Sequence, residues 1–193
     1  LKDSTLAVGM DHKVELWKDG ICVNTLNVTY NCYDLCALPD GSFLSGAYKE
    51  IKHWRDGKCV RELKGHRSGF VRSLVRLKTG KIASGSDDKT IKIWDLEKGK
   101  CLHTLEGHTY SVNALAELPD GRIASTSNDN TIKLWRDQTC EATLTGQTYS
   151  AICLAVLPDG TLASGSCDHT IKLWNTEDGA CVRTFTHHTG WVR

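Results

Sequence analysis

The chain has 193 residues, of which 40% are hydrophobic and 24% are charged, and its formal net charge is +1. This length and apolar content are sufficient for one domain with a complete hydrophobic core. The near-neutral charge supplies no general field for nucleic acid or an anionic membrane, and no apolar run approaches the roughly 20 residues of a membrane span. We therefore expect neither nucleic acid nor a membrane as a partner.

Tryptophan recurs along the chain at intervals of 37 to 41 residues. The repeating residues are Trp17, Trp54, Trp94, Trp135 and Trp174. A period of this size is typical of propellers and other repeat proteins. The segments 84–94, 125–135 and 164–174 align without gaps, and three Leu-Pro-Asp-Gly turns recur in phase. The repeat divides the single domain 1–193 into units of about 1–27, 28–64, 65–106, 107–145 and 146–186, followed by the start of a further strand at 187–193.

Four short strands are predicted in each complete unit. In the third unit they cover 71–77, 81–86, 90–95 and 100–105, with turn residues between them. Strands of this length joined by short turns indicate an antiparallel meander. One such sheet has two faces to cover, and stacking several sheets around an axis covers both.

The repeated residues resemble the WD40 repeat. The resemblance is carried by Gly-His at 65–66 and 107–108, Ser-Gly-Ser at 84–86, and Thr-Ile-Lys-Ile-Trp at 90–94. It extends over essentially the whole chain and implies an all-β fold, a β-propeller of four-stranded antiparallel blades with about five blades present. Two arrangements stay open: a closed ring in which 187–193 joins the first sheet, and part of a larger propeller, which is slightly favoured. An open array would leave blade faces free for self-association.

The resemblance also implies a structural network of hydrogen bonds in each blade, joining a His at the blade entrance to a Ser, an Asp and the Trp. The residues assigned to it are His66, Ser84, Asp88 and Trp94; His108, Ser125, Asp129 and Trp135; and Ser164, Asp168 and Trp174. Gln147 takes the place of the His in the last set. Such trios resemble a catalytic triad, but their recurrence in successive blades suits architecture better than one active site. We therefore expect no catalytic residues, no cofactor and no enzymatic activity.

Nine cysteines are present, and five of them occupy one equivalent position after each Trp. Copies of one position in neighbouring blades are expected to lie too far apart for a disulfide. The remaining cysteines lack the spacing of metal ligands, so no metal site is predicted. Reduced structural cysteines indicate a cytoplasmic or nuclear protein.

An aromatic residue precedes the first strand of each unit, and the resemblance places this loop on the upper face of the propeller near its channel. The turns between the second and third strands share that face and differ from unit to unit. The residues predicted to bind a partner are Tyr30, Phe70, Tyr110, Tyr149, Trp191, Tyr48, Lys89, Asn130 and His169. Variable side chains on a constant frame suit recognition. The alternative is that the rings pack between blades as ordinary core.

These features predict a non-catalytic scaffold that binds a peptide or protein segment on its upper face, in a ubiquitin-linked or signalling complex. The short turns before the repeated cysteines also resemble those of ubiquitin-binding propellers. Two alternatives stay open: a regulatory or substrate-recruiting domain of an enzyme, and a propeller that binds nucleic acid by stacking bases on the aromatic rings.

Overall fold

The computed structural model describes residues 5–193, and all of the regular secondary structure in that range is β-strand. Its strands form five antiparallel sheets, the first with three strands and the other four with four strands each. Within every sheet, neighbouring strands are consecutive in the chain, so each sheet is a meander. Residues 1–4 of the first predicted unit lie outside the described residues.

The strands are numbered in chain order. The first sheet contains β1 (Leu6–Met10), β2 (Lys13–Lys18) and β3 (Ile21–Asn27). The second contains β4 (Asp34–Ala37), β5 (Phe43–Gly46), β6 (Glu50–Arg55) and β7 (Lys58–Lys64). The third contains β8 (Val71–Arg76), β9 (Ile82–Ser86), β10 (Ile91–Asp95) and β11 (Lys100–Leu105). The fourth contains β12 (Val112–Glu117), β13 (Ile123–Ser127), β14 (Ile132–Arg136) and β15 (Thr139–Leu144). The fifth contains β16 (Ala151–Val156), β17 (Leu162–Ser166), β18 (Ile171–Trp174) and β19 (Cys181–Phe185).

The repeated Trp and the repeated Cys meet across the last two strands of each sheet. In the third sheet the pairing register shifts between Ile93 and Trp94, so that Trp94 lies opposite Cys101. The same shift precedes the Trp in the other four sheets. In the second to fifth sheets the shift turns the indole into the core, whereas Trp17 in the first sheet is half-buried. The cysteines at this position therefore lie on outer strands, one in each sheet, and all nine cysteines are free.

The hydrophobic core is divided into four clusters, each built from two successive sheets. Between the second and third sheets, Leu44, Ile51 and Leu63 pack with Val71 and Trp94. Equivalent clusters join the first sheet to the second, the third to the fourth, and the fourth to the fifth. Each sheet thus covers the apolar face of its neighbour, which is the radial stacking of propeller blades.

The C-terminal segment contacts the fifth sheet in the way that the start of the third blade contacts the second sheet. Val192 donates its backbone N–H to Ser166 O at 3.1 Å, as Val71 does to Ala47 O at 2.8 Å. Residues 187–193 form no strand, and β1 pairs with β2 alone in the described part of the chain. The alternative in which 187–193 closes the ring by joining the first sheet therefore does not describe this structure.

Candidate partner-binding face

Polar side chains inside the third and fourth sheets form one chain of hydrogen bonds per sheet. His66 Nδ1 lies 2.8 Å from Asp88 Oδ2, and His66 Nε2 lies 2.7 Å from Ser84 Oγ. The indole N–H of Trp94 donates to the same Ser84 Oγ at 2.8 Å. An indole can only donate and a carboxylate can only accept, so a neutral His satisfies every group in the order Trp, Ser, His, Asp.

The fourth sheet repeats this geometry with distances of 2.7, 2.7 and 2.8 Å among His108, Ser125, Asp129 and Trp135. Ser84 and Ser125 are fully buried. A nucleophile has to reach a substrate, so these hydroxyls cannot act as one. The chains satisfy buried polar groups and fix the turn after the second strand onto its sheet.

The carboxyl groups of these chains are held in the charged form. Burial by itself would raise the pKa of Asp88, but hydrogen bonds from His66 and Thr90 outweigh it and hold that pKa well below its usual range. The pKa of Asp129 is lowered in the same way, against burial, by Thr131 and His108. Burial lowers the pKa of His108 despite the nearby Asp129 carboxylate, which keeps the imidazole neutral near pH 7.

The other sheets keep only part of this network of hydrogen bonds. In the fifth sheet Gln147 donates to Ser164 Oγ at 2.7 Å, and Trp174 donates to the same oxygen at 2.8 Å. The Asp168 carboxylate instead accepts the backbone N–H groups of Thr148 and Thr170, each at 2.9 Å.

The second sheet has a polar group that the sequence did not predict. His53 Nε2 lies 2.8 Å from Ser42 Oγ, and Ser42 in turn donates to Asp40. Val28 fills the place of the entrance His and is buried. This arrangement was missed because Asp40 belongs to a recurring turn but His53 and Ser42 have no counterpart in the other repeats, so the periodicity gave no signal for it.

The aromatic residues before the first strands lie at the surface. Tyr110, Tyr149 and Trp191 are 59%, 65% and 61% exposed, and Tyr30 is 41% exposed. Phe70 and Tyr48 are half-buried. Packing between blades therefore accounts for Phe70 and Tyr48, and the remaining four rings face solvent.

Four aromatic rings form a continuous group across the second and third blades. Tyr30 and Tyr48 lie 5.0 Å apart between ring centroids, Tyr48 and Phe70 lie 5.3 Å apart, and Phe70 and Tyr33 lie 4.6 Å apart. Tyr33 was not among the predicted residues because it has no equivalent in the other units. Its only signal was an extra aromatic residue near Tyr30.

The predicted turn residues are held in an unusual backbone conformation. The turn between the second and third strands has one residue of positive φ in every sheet, and none is glycine: His12, Lys49, Lys89, Asn130 and His169. Lys49 lies over the Tyr48 ring at 5.1 Å, and Lys89 lies over the Tyr110 ring at 5.6 Å. The turns therefore place polar side chains beside the aromatic rings.

A cavity of about 1070 Å³ lies on the same face. Its lining includes Tyr33, Arg72, Tyr149, His169 and Trp191. The structure thus places Tyr149, His169 and Trp191 around one cavity, whereas the other six predicted residues are not part of its lining. No group of His, Cys, Asp or Glu side chains that could hold a metal occurs within residues 5–193. No helix in that range is long and apolar enough to cross a membrane.

Five stacked meanders, of which the four complete ones each have a buried Trp on the third strand, define a β-propeller of repeated blades. The family model described as "WD domain, G-beta repeat" matches residues 57–95, 99–136 and 138–175, more than half of the chain. The chain belongs to the WD40 family.

Solved and curated proteins show the same relationship. The WD40 β-propeller domain of Doa1 superposes with a TM-score of 0.85 and 28% identity, over 98% of this chain and 67% of that one. Mitochondrial division protein 1 of Pyricularia oryzae is 36% identical over 64 residues, which are 33% of this chain and 10% of that protein. F-box/WD repeat-containing protein 7 of Drosophila melanogaster is 48% identical over 50 residues, 26% of this chain and 4% of that protein. A probable E3 ubiquitin ligase complex SCF subunit sconB of Arthroderma otae is 44% identical over 52 residues, 26% of this chain and 7% of that protein. The matched stretches thus span a tenth or less of these curated relatives.

Proposed function

We propose that the chain is a non-catalytic interaction domain that binds a peptide or protein segment on its upper face. The supporting observation is the exposure of Tyr110, Tyr149 and Trp191 on one face, beside a cavity large enough for several side chains. Aromatic residues bury much area on binding at little cost in conformational entropy, which makes them frequent binding hot spots.

We place the interaction in a ubiquitin-linked or signalling complex of the cytoplasm or nucleus. Two relatives support this proposal by their names, an F-box/WD repeat protein and a probable SCF subunit of a ubiquitin ligase complex. In such a setting the domain would recruit a protein segment to an enzyme without taking part in the reaction.

The test compares proteins retained by the immobilised chain and by the Tyr110→Ala/Tyr149→Ala variant. The segment retained by the original chain is then titrated as a purified peptide, and ubiquitin is titrated in parallel. Loss of at least about 2 kcal/mol of binding free energy in the double variant is expected for two hot-spot rings. Ile21→Ala is the matched control, since Ile21 is 67% exposed but lies after a turn on the opposite face. Equal binding by all three proteins would reject the proposal.

A further inference from the structure

Three cations on the upper face lie against aromatic rings and not against carboxylates. Lys49 and Lys89 lie over Tyr48 and Tyr110, and the Arg193 guanidinium lies over the Trp191 ring at 5.1 Å. Among the described residues, Lys49, Lys89 and Arg193 form no ion pair. Each of these three cations is therefore free to bind an anionic group.

Most carboxylates of the same face are already occupied. Asp87 pairs with Arg72 and accepts the Phe70 N–H at 3.0 Å. Asp34 is half-buried and accepts the N–H groups of Leu35 and Leu74. The repeated Asp of the third to fifth sheets is bonded within each blade, as described above. Glu50, after the turn of the second sheet, pairs with Lys52. Asp11, in the turn of the first sheet beside His12, and Glu106, directly after β11, are exposed acidic residues outside these pairings.

The left-handed turn positions carry different side chains on the two faces. In the turns between paired strands on the upper face they hold His12, Lys49, Lys89, Asn130 and His169, which are all hydrogen-bond donors, while Gly69, Gly107 and Gly146 have positive φ in the segments that lead into the third, fourth and fifth sheets. On the opposite face they hold only Gly and Asp, namely Gly20, Gly41, Gly57, Gly80, Gly99, Gly121, Gly160 and Gly179 with Asp19, Asp56 and Asp137. Glycine adopts this conformation without strain, so the donors on the upper face are kept against the backbone preference.

From this arrangement we propose that the segment bound by the upper face is acidic: an extended peptide with Asp or Glu side chains between apolar ones. The inference rests on the proposed function and adds the chemistry of the partner. Apolar side chains of such a peptide would pack on Tyr110, Tyr149 and Trp191, while its carboxylates would reach the Lys and Arg groups beside those rings. Opposite charge at the rim also speeds association and selects against basic partners.

The test uses a displayed library of random 12-residue peptides, selected on the immobilised chain. Peptides enriched by the chain are expected to contain more Asp and Glu than Lys and Arg. The best of them is then synthesised with a fluorescent label, together with an analogue in which every Asp and Glu becomes Asn or Gln. Fluorescence anisotropy is expected to show about tenfold weaker binding of the neutral analogue, the effect of two or three exposed ion pairs.

Reversing the charge of two lysines tests whether these side chains of the protein bind the carboxylates of the peptide. Lys49→Glu/Lys89→Glu is expected to weaken the acidic peptide by about tenfold or more and to leave the neutral analogue within about twofold. The matched control is Lys81→Glu/Lys100→Glu, which changes the net charge equally at exposed sites after turns of the opposite face. Its affinity for the acidic peptide should stay within about twofold of the original chain.

The possible results distinguish failure of the acidic-partner proposal from failure of the proposed function itself. Enriched peptides without an acidic excess, whose binding is lost in Tyr110→Ala/Tyr149→Ala, would overturn the acidic partner and leave the binding face intact. A library that yields no peptide sensitive to either double variant would overturn both. Binding of a 12-nucleotide single-stranded DNA as tightly as the acidic peptide, with loss in Lys49→Glu/Lys89→Glu, would also overturn the peptide proposal in favour of nucleic acid.

Discussion

Gln147 fills the position that His66 and His108 occupy in the two preceding blades. It donates to Ser164 Oγ, but it supplies no bond to the Asp168 carboxylate. A histidine there would bond both groups with the geometry seen in the third and fourth sheets. We expect Gln147→His to raise the free energy of unfolding by about 1 kcal/mol, since the added bond reaches a charged acceptor.

Urea denaturation at pH 7.5 measures this effect. Gln147→Ala serves as the comparison, since it removes the bond to Ser164 and should lower the free energy of unfolding. If the Gln147→His variant were no more stable than the original protein, completing the Trp–Ser–His–Asp network of hydrogen bonds would not contribute to blade stability.

Ionisation of the buried carboxyl groups links stability to pH. The pKa values of Asp88, Asp129 and Asp168 are lowered in the folded state, because hydrogen bonds to the carboxylates outweigh burial. A lowered folded pKa contributes stability above the unfolded value of about 4, and this contribution is lost as the pH falls through the folded pKa. The lowered pKa of His108 acts in the same direction, since protonation favours the unfolded chain.

We therefore expect the free energy of unfolding to fall steadily as the pH is lowered from 6 to 3. Denaturant unfolding at several pH values checks this, with Asp88→Asn as the comparison. The variant should be less stable at pH 6 and should show a shallower decline. A flat profile in the original chain would contradict the role assigned to these carboxylates.

The residues that the sequence identified are those that repeat. His66 and His108 recur at equivalent positions, so the family resemblance could assign their bonds. Tyr33, His53 and Ser42 belong to single blades, and no periodic signal marks them. The partner-binding residues are an intermediate case: their positions repeat, but their exposure depends on loop conformation, which the sequence did not determine.

Strand positions were predicted closely, because turn residues limit them. The strand predicted at 71–77 is Val71–Arg76 in the structure, and that predicted at 90–95 is Ile91–Asp95. The last residue is lost from the first strand because the N–H of Leu77 bonds Lys81 O within the turn. The register shift before each Trp was not predicted, since an extra residue in one strand becomes visible only when both strands are paired.

Among the described residues, the first sheet has the fewest buried apolar side chains of the five sheets. Its Trp17 indole donates to Glu15 at 3.0 Å on the same strand, whereas the other four tryptophans donate to a serine in the adjacent strand. Val14 and Leu26 are its buried apolar residues in the described range. We expect the amides of β2 to exchange with solvent faster than those of β10 and β14, because local opening of a sheet with little buried apolar area costs less free energy.

Hydrogen exchange followed by mass spectrometry on peptides from each sheet measures this order. The second sheet is expected to be intermediate: Leu44 and Ile51 are fully buried, but its entrance position is filled by Val28. Slower exchange in β2 than in β10 would show that the Trp-to-Ser bond has little influence on blade stability.

At the scale of the whole molecule, the sequence defined the blades better than their arrangement. Each blade is specified by local turns and by pairing of adjacent strands, which the repeat encodes directly. How sheets are arranged around an axis depends on the wedge angle between neighbouring faces, a sum of many small packing differences. For that reason the closed ring and the larger propeller could not be separated from the sequence, whereas the structure shows that residues 187–193 form no strand and that β1 pairs with β2 alone in the described part of the chain.

The fifth sheet leaves apolar side chains less covered than its neighbours do. Ile171 and Leu173 on β18 are half-buried, whereas their counterparts Ile132 and Leu134 on β14 are fully buried beneath the next sheet. Partly exposed blade faces of this kind favour association between copies. We expect the 193-residue chain to show a concentration-dependent mass above its 21.3 kDa in solution.

Light scattering coupled to gel filtration, at protein concentrations from about 5 to 200 μM, measures this association, because weak interfaces dissociate on dilution in this range. Leu173→Lys should reduce the mass toward that of a single chain, since a charge on this face has to be desolvated when two copies meet. Val182→Lys is the control, because Val182 is already 60% exposed on the outer strand β19. A mass of 21.3 kDa at every concentration would mean that the exposed face is too small or too polar to hold two copies together.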